Sequence, residues 1–440
     1  MTRYVFILYM ALFAGIVHAS AQQITHEQKA AIIETTAGLL DEHYVFPDKA
    51  KIVGKMLVDK LKNRGYDSFR DGEAFIQVLN EDLTTALSDQ HIKITFDPRR
   101  VKQIKMEKDN DGKKLPLTKE WFERLRFENF RLRKVEWMDG NIGYFRFLNF
   151  TELDVAKEAI SASMTFIRHS DAIIIDLRDN GGGHSETLHY LLSYFLPDRQ
   201  KIGEFHYRKN NRVEEIRIPS DTSVKKIPND VPLFLLVSRK TSSAAEGMAS
   251  VLQSSGRAIV VGERTRGEGN PGELFILNDN LYMMIPTAVS KNVWPEKLPV
   301  EGHGVQPDHV IASELALEKA KLEICKTFAS SSKIKELKQS YLWQIPVWEY
   351  AIAPQTMPEY FRSTLCGSYN EGRQIIYENG MYYYVNKDKQ QFRLMNYGQN
   401  ILAMEGKPFV RIRIPANEQK ITYFEFIWDD EFSERVARIE

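Results

Sequence analysis

The sequence predicts an α/β core built on a mostly parallel sheet, preceded by a helical domain and followed by a small antiparallel β domain. Three observations predict it. Helical apolar spacing fills residues 22–90 without a strand signal, strand and helix patterns alternate from about Asn141, and alternating strands with a hairpin turn fill the last hundred residues.

In chain order, Arg3 precedes an uncharged apolar run from Tyr4 to Val17 and the small-x-small triplet Ala19-Ser20-Ala21, the form of a secretory cleavage site. The run is short for a bilayer span. Residues 1–21 are therefore expected to be a signal peptide, and the rest an exported chain, periplasmic or secreted, with no membrane span. The stretch "THEQKAAIIETTAGLLDEHYV" sets apolar residues at helical spacing behind Thr25, and "GEAFIQVLNEDLTTALSD" does the same, giving a helical domain over 22–98. A connecting segment, 99–140, follows. Its portion from Arg99 to Lys134 carries 13 basic and 6 acidic residues with Trp121, Phe122, Phe127 and Phe130 interspersed, a solvated amphipathic run or a cover for a cleft.

The core is expected over 141–323. "IGYFRF" is a strand, "LDVAKEAISASMTFIRHS" a helix, and "DAIIIDLR" a continuously apolar strand of the kind buried on both faces. "SETLHYLLSYFL", "PLFLLVS", "AAEGMASVLQSSG" and "RAIVVGE" continue the alternation, which implies right-handed crossovers. A helical connector, 324–344, leads to a β domain over 345–440. There Asn379-Gly380, between two β-branched and aromatic runs, signals a tight hairpin.

Of 440 residues, 59 are Lys or Arg and 59 are Asp or Glu, a balance that argues against a nucleic-acid partner. The two cysteines, Cys325 and Cys366, could pair or be buried free thiols. No His/Asp/Glu cluster has metal-ligand spacing, so no metal and no cofactor is expected.

In such a sheet a site lies beyond the carboxyl ends of the strands. Two turns fall there, "DLRDNGGGHS" and "SRKTSSAAEG". In the first, glycines could bring backbone N–H groups to an oxyanion, or could serve a left-handed turn. In the second, a serine could cap the helix or act as nucleophile. Taken in order, "NIGYFRF", "DAIIIDLRDNGGG", "KTSSAAEGMASVLQ", "RAIVVGERTRGEG" and "GHGVQPD" resemble the tail-specific, C-terminal-processing serine peptidases. Specifically, they resemble the interphotoreceptor retinoid-binding-protein-like and tricorn-like branch of that family. "LDEHYVFPDKA" and "SDQHIKITFDP" look like the helical amino-terminal segment of that branch.

The resemblance implies a ClpP/crotonase-like core and an endopeptidase acting on peptides or unfolded proteins. It places the nucleophile at Ser243, with the N–H groups of Ala244 and of Gly181 or Gly182 as oxyanion hole. Glu246, one helical turn on, would face the site or favour the helix dipole. Where the larger branch carries a catalytic lysine this chain has Glu268, which excludes a Ser-Lys dyad, and Lys240 reads as a solvated turn charge. The tricorn-like pattern instead implies His91 as base and Glu301 as its orienting carboxylate. His303 and His184 lie near enough in sequence to substitute for His91. The competing expectation is a non-catalytic module of the same fold holding a hydrophobic ligand or peptide.

Overall fold

The computed structural model describes residues 23–109, 117–295, 298–415 and 421–439. The expected signal peptide lies outside them. No helix among the described residues is long and apolar enough to cross a membrane.

The amino-terminal region packs helices α1 (His26–His43), α2 (Pro47–Lys62) and α3 (Gly72–Leu87). Thr25 and Gln28 form a reciprocal capping box on α1, and Asp71 caps α3 through the Ala74 N–H at 2.9 Å. The region also contains a strand, β1 (Lys93–Phe96), which pairs across the chain with β10 (Leu281–Pro286), Lys93 opposite Met284. With β9 (Gly272–Ile276) they form a three-stranded antiparallel sheet whose Leu281, Met283 and Ile285 enter one core with α1–α3. The helical region is thus fastened to the rest of the chain by backbone pairing.

Helices α4 (Pro98–Asp109) and α5 (Lys119–Phe127) precede the main sheet. That sheet is built from β2 (Leu132–Met138), β3 (Ile142–Phe147), β4 (Ala172–Asp176), β7 (Leu233–Val237), β8 (Ile259–Gly262) and β12 (His309–Val310), ordered β12-β8-β7-β4-β3-β2. Every neighbouring pair is parallel except β3 with the edge strand β2. Strands β4 and β7 are buried at every residue, as their unbroken apolar runs require. Helices α6 (Leu153–Ile167), α7 (Ser185–Leu192) and α8 (Ala244–Ser254) contribute Ile160, Met164, Leu191, Met248 and Leu252 to the core on one face. Helix α9 (Ala316–Ser331) covers the other with Ala316, Ala320 and Ile324. A second antiparallel sheet joins β5 (Lys201–Tyr207) to β6 (Val213–Arg217) and β11 (Ala288–Asn292).

Helix α10 (Lys335–Ile352) packs on α9 and spans position 345, where the sequence suggested a domain boundary. After it come a single turn, α11 (Phe361–Thr364), and eight consecutive antiparallel strands. These are β13 (Gly367–Tyr369), β14 (Arg373–Glu378), β15 (Met381–Val385), β16 (Gln391–Asn396), β17 (Ile401–Met404), β18 (Lys407–Arg413), β19 (Tyr423–Trp428) and β20 (Ser433–Ala437). The Asn379-Gly380 turn links β14 to β15 with Glu378 opposite Met381 and φ of 52° and 83°, the left-handed pair a two-residue hairpin needs. A bridge between Tyr369 and Arg438 and the Ile439 N–H to Ser368 carbonyl bond at 2.9 Å close the meander into a barrel. Tyr369, Tyr384, Leu402, Ile412, Phe424 and Phe426 fill it. Cys366, in the barrel, and Cys325, buried on α9, are unpaired thiols.

Candidate active site

Two strand-end turns meet above the centre of the sheet. The turn after β4 is held by Asp176, a buried carboxylate that receives two Arg178 N–H groups at 2.9 and 2.6 Å and the Tyr144 hydroxyl at 2.6 Å. The turn after β7 is tied to it by two of its three hydroxyl residues. Thr241 Oγ1 donates to the Leu177 carbonyl at 2.8 Å and receives the Ser238 N–H at 2.9 Å. Ser242 donates through Oγ to the Gly181 carbonyl at 3.1 Å and through its N–H to the Asn180 carbonyl at 3.1 Å. Both side chains are buried. Ser243, the third, lies at the mouth of α8 and lines a cavity of about 790 Å³.

The Ser243 backbone has φ 54° and ψ −124°, a region that costs about 1–3 kcal/mol and persists only where the surroundings enforce it. A strained strand-to-helix turn of this kind lifts a nucleophile's hydroxyl clear of the sheet. Two neighbours enforce it. Gly182 (φ 91°) packs so closely that a Cβ there would lie 2.6 Å from Ser243 Cβ and 2.9 Å from the Ala244 nitrogen. From the other side, Glu246 Oε2 accepts the Ser243 N–H at 2.9 Å.

Glu246 does not face the cavity. Fully buried, it accepts three more bonds, from Thr265 Oγ1 and the Gly267 N–H at 2.6 Å and the Glu268 N–H at 2.8 Å. Burial pushes its carboxyl above the usual range while these donors pull it back. With both oxygens filled, it is a staple between the turn at Ser243 and the 263–268 loop, which corrects the expectation that its carboxylate faces the site.

The oxyanion expectation also changes. The Gly182 N–H is spent on Asn180 Oδ1 at 2.9 Å and the Gly181 N–H points to the Leu148 carbonyl at 3.3 Å. Neither amide is available to a ligand. Two amides beside Ser243 line the cavity and donate to no group among the described residues, that of Gly183, just before α7, and that of Ala244, the first residue of α8. Of the three expected donors only Ala244 has an N–H without an acceptor among the described residues, and Gly183 has another.

His91 and Glu301 line the same cavity as Ser243. His91 precedes β1, so the β1–β10 pairing sets its place. Its N–H donates to Asp89 Oδ1 at 3.0 Å, while its ring Nδ1 is buried without a hydrogen-bond partner. Burial holds the imidazole below its usual value, opposed by the Asp89 charge and the Asn270 carbonyl. Glu301 Oε2 accepts the N–H groups of Gly269 and Asn270 at 3.0 and 2.8 Å, and its Oε1 is buried and unpartnered. Burial, and then the Asp89 charge, push its carboxyl up to about 8. No hydrogen bond among the described residues links Ser243 Oγ to the His91 ring.

Of the other groups, Glu268 is buried, with Arg266 at 2.9 Å, and Lys240 is an exposed partner of Asp179 at 3.1 Å. His184 pairs with Glu152 at 3.6 Å away from the cavity lining, whereas His303 lines the cavity and bonds the Glu301 carbonyl at 3.0 Å. No described residue of the basic 99–134 segment lines the cavity. Among the lining residues not singled out from sequence are Asp89, Asn270, and Tyr44, whose hydroxyl donates to Asp89 at 2.9 Å. Tyr44 and Asp89 stand inside the two amino-terminal stretches that carried the resemblance, the only signal that pointed to them. Among the described residues no group of three or more His, Cys, Asp or Glu is arranged to hold a metal ion.

Comparison with known proteins follows this geometry. Residues 141–311 match the model of peptidase family S41, and residues 18–130 match the N-terminal domain of peptidase S41 in eukaryotic IRBP. Carboxyl-terminal-processing peptidase 1, chloroplastic, of Arabidopsis thaliana is 28% identical over 180 residues, 41% of this chain and 35% of that protein. A carboxyl-terminal-processing protease of Picosynechococcus sp. is 31% identical over 184 residues, 41% of this chain and 42% of that protein. The chain thus spans little more than a third of the length of these curated relatives. Among solved structures, a lipoprotein from Streptococcus agalactiae aligns with 69% of this chain and 97% of its own, at 17% identity and a TM-score of 0.45. The two family matches fall on the helical region and on the sheet with its two strand-end turns, and over those residues the chain matches peptidase family S41.

Proposed function

We propose that the protein is an exported serine endopeptidase, periplasmic or secreted, that hydrolyses peptides or unfolded proteins through an acyl-enzyme. The observation that carries the reading is Ser243 in a strained strand-to-helix turn, sharing a cavity with His91, Glu301 and two undonated amides. In this mechanism His91 takes the proton of Ser243 Oγ as the oxygen bonds to the scissile carbonyl carbon. The carbonyl oxygen, now negative, accepts the N–H groups of Gly183 and Ala244. Collapse of the adduct breaks the C–N bond, and the imidazolium returns the proton to the departing amine. Water then repeats the sequence on the ester. Glu301, with Oε1 free on the cavity wall, orients the imidazole and stabilises its charged form when ionised. Glu268 has an acidic oxygen where a dyad would need an amine, which favours the upstream histidine over a Ser-Lys mechanism.

The test is labelling with a fluorophosphonate probe and mapping of the adduct. Modification of Ser243, lost in Ser243→Ala, is expected, and an unlabelled but folded protein would overturn the reading. One observation favours a second reading: the cavity is largely apolar toward α7 and β5, which suits a hydrophobic ligand held without chemistry. A folded, unlabelled protein that quenches on titration with a long-chain fluorescent fatty acid would favour that alternative.

A further inference from the structure

The cavity continues past Ser243 into a crevice between α7 and α8, walled by Leu188 and Leu192 of α7, Val251 of α8, Ile202 of β5 and Ile216 of β6. Position 247, which also lines the cavity, is glycine. A Cβ there would stand 3.2 Å from Leu188 Cδ2, across the gap between the two helices. Gly247 sits inside α8, one turn beyond Ser243, its N–H bonded to the Ser243 carbonyl at 2.9 Å. Glycine is the poorest helix former after proline, so a glycine inside a helix calls for a local reason, and here it is the close approach of Leu188, which any side chain at 247 would push into the crevice. Two polar side chains that border the crevice, Ser250 and Asn292, bond to each other at 3.2 Å. His189 is held below its usual value by burial. None of these groups places a fixed charge in the crevice.

The position of the crevice relative to the amides assigns its occupant. The two candidate donors, Gly183 and Ala244, stand at the N-terminal ends of the same two helices. A substrate carbonyl whose oxygen lies between those ends carries its own α-carbon one bond away, so the side chain of that residue enters between α7 and α8. His91, from the turn before β1, stands on another wall, where the leaving amine must receive its proton. We propose that this crevice is the pocket for the side chain on the acyl side of the scissile bond, that it takes bulky apolar residues such as leucine, methionine or phenylalanine, and that Gly247 sets its depth. The proposal rests on Ser243 being the nucleophile.

The experiment pairs fluorophosphonate labelling with hydrolysis of peptide 4-nitroanilides that differ only in the residue before the anilide: Ala, Leu, Phe, Lys or Glu. It uses the full chain as wild type, Gly247→Ala and Gly247→Val. The wild type is expected to show kcat/KM at least tenfold higher for Leu or Phe than for Ala, Lys or Glu. Gly247→Val should lower the Leu-to-Ala ratio at least tenfold, with Gly247→Ala between. Mass-spectrometric mapping of wild-type cuts in a reduced, unfolded protein reads the same preference without any variant and should find apolar residues before most cuts. A labelled, active enzyme that cuts after charged or small residues, or a ratio unmoved in a folded Gly247→Val, overturns the pocket assignment alone. Absence of labelling together with absence of hydrolysis overturns the nucleophile and the pocket with it.

Discussion

Ser242 and Ser243 carry the same hydroxyl in opposite surroundings, one bonded inward to the Gly181 carbonyl, the other lining the cavity. Ser243→Ala should abolish peptide hydrolysis with folding retained. Ser242→Ala should keep substantial activity and lose about 0.5–1.5 kcal/mol of stability in denaturant unfolding, the worth of one hydrogen bond. Equal activity of the two variants would contradict this division. Glu301 makes a sharper prediction. Its folded carboxyl titrates at about 8, so a mechanism that uses the ionised form gains activity as pH rises through that value, while His91, held low by burial, is already neutral. A profile of kcat/KM should therefore climb between pH 7 and 9, and Glu301→Gln should lower the plateau and remove the climb. Stability runs the other way. The native state holds a proton that the unfolded chain, titrating at about 4.3, has lost, so stability falls as pH rises from about 4.3 to 8. Glu301→Gln should accordingly raise Tm at pH 9 relative to wild type and change it little at pH 4. A Tm difference independent of pH would show that burial of this carboxyl is not what the site expends. Sequence could nominate three hydroxyls at one turn, but which one faces the cavity depends on Leu177 and Gly181 carbonyls some sixty positions away in the chain.

Elements, rather than single groups, decide which amides are left to serve as the proposed oxyanion donors and where the histidine sits. The glycine run was legible as a backbone cradle, yet the amide that stays free depends on Asn180, whose side chain consumes the Gly182 N–H and leaves Gly183. Likewise β1 is four residues long, with Lys93 exposed and only Ile94 fully buried, too weak a pattern to read alone. It exists because β10 supplies its ladder. Two substitutions test this scaffold. Gly182→Ala puts a Cβ 2.6 Å from Ser243 Cβ at φ 91°, so the turn must shift. Activity should drop at least a hundredfold, since misplacement by about 1 Å costs that much, with a smaller effect on unfolding. Glu246→Gln replaces one of two acceptor oxygens by an NH₂ group that faces backbone N–H donors, and should cost about 2–4 kcal/mol of stability in addition to activity. If Glu246→Gln were as stable as wild type, the staple would carry no weight.

The whole molecule joins a peptidase-type body to a barrel through one helix. The antiparallel character of the last hundred residues was plain in alternation and in Asn379-Gly380, but closure was not, because it needs Tyr369 and Arg438 to meet from the two ends of the meander. The barrel has its own aromatic core and meets α10 through a compact set of contacts. Arg411 is buried and lies 3.8 Å from the Trp343 ring and 5.2 Å from that of Tyr397, bonding the Trp343 carbonyl, while Trp343 Nε1 donates to the Pro408 carbonyl at 2.9 Å. Burial lowers the guanidinium to about 10, so it keeps its charge at neutral pH and its place between the rings. Between α10 and α11 the chain runs exposed from Pro354 to Thr356. Limited proteolysis should therefore cut first in that stretch, and the body that remains should still be labelled at Ser243 by a fluorophosphonate, since no described residue beyond His303 lines the cavity. Arg411→Ala should speed the cut by loosening α10 from β18, with kcat/KM on a short peptide unchanged. Loss of labelling on cleavage would mean that the barrel supports the site itself, and the separation of the two bodies would have to be abandoned.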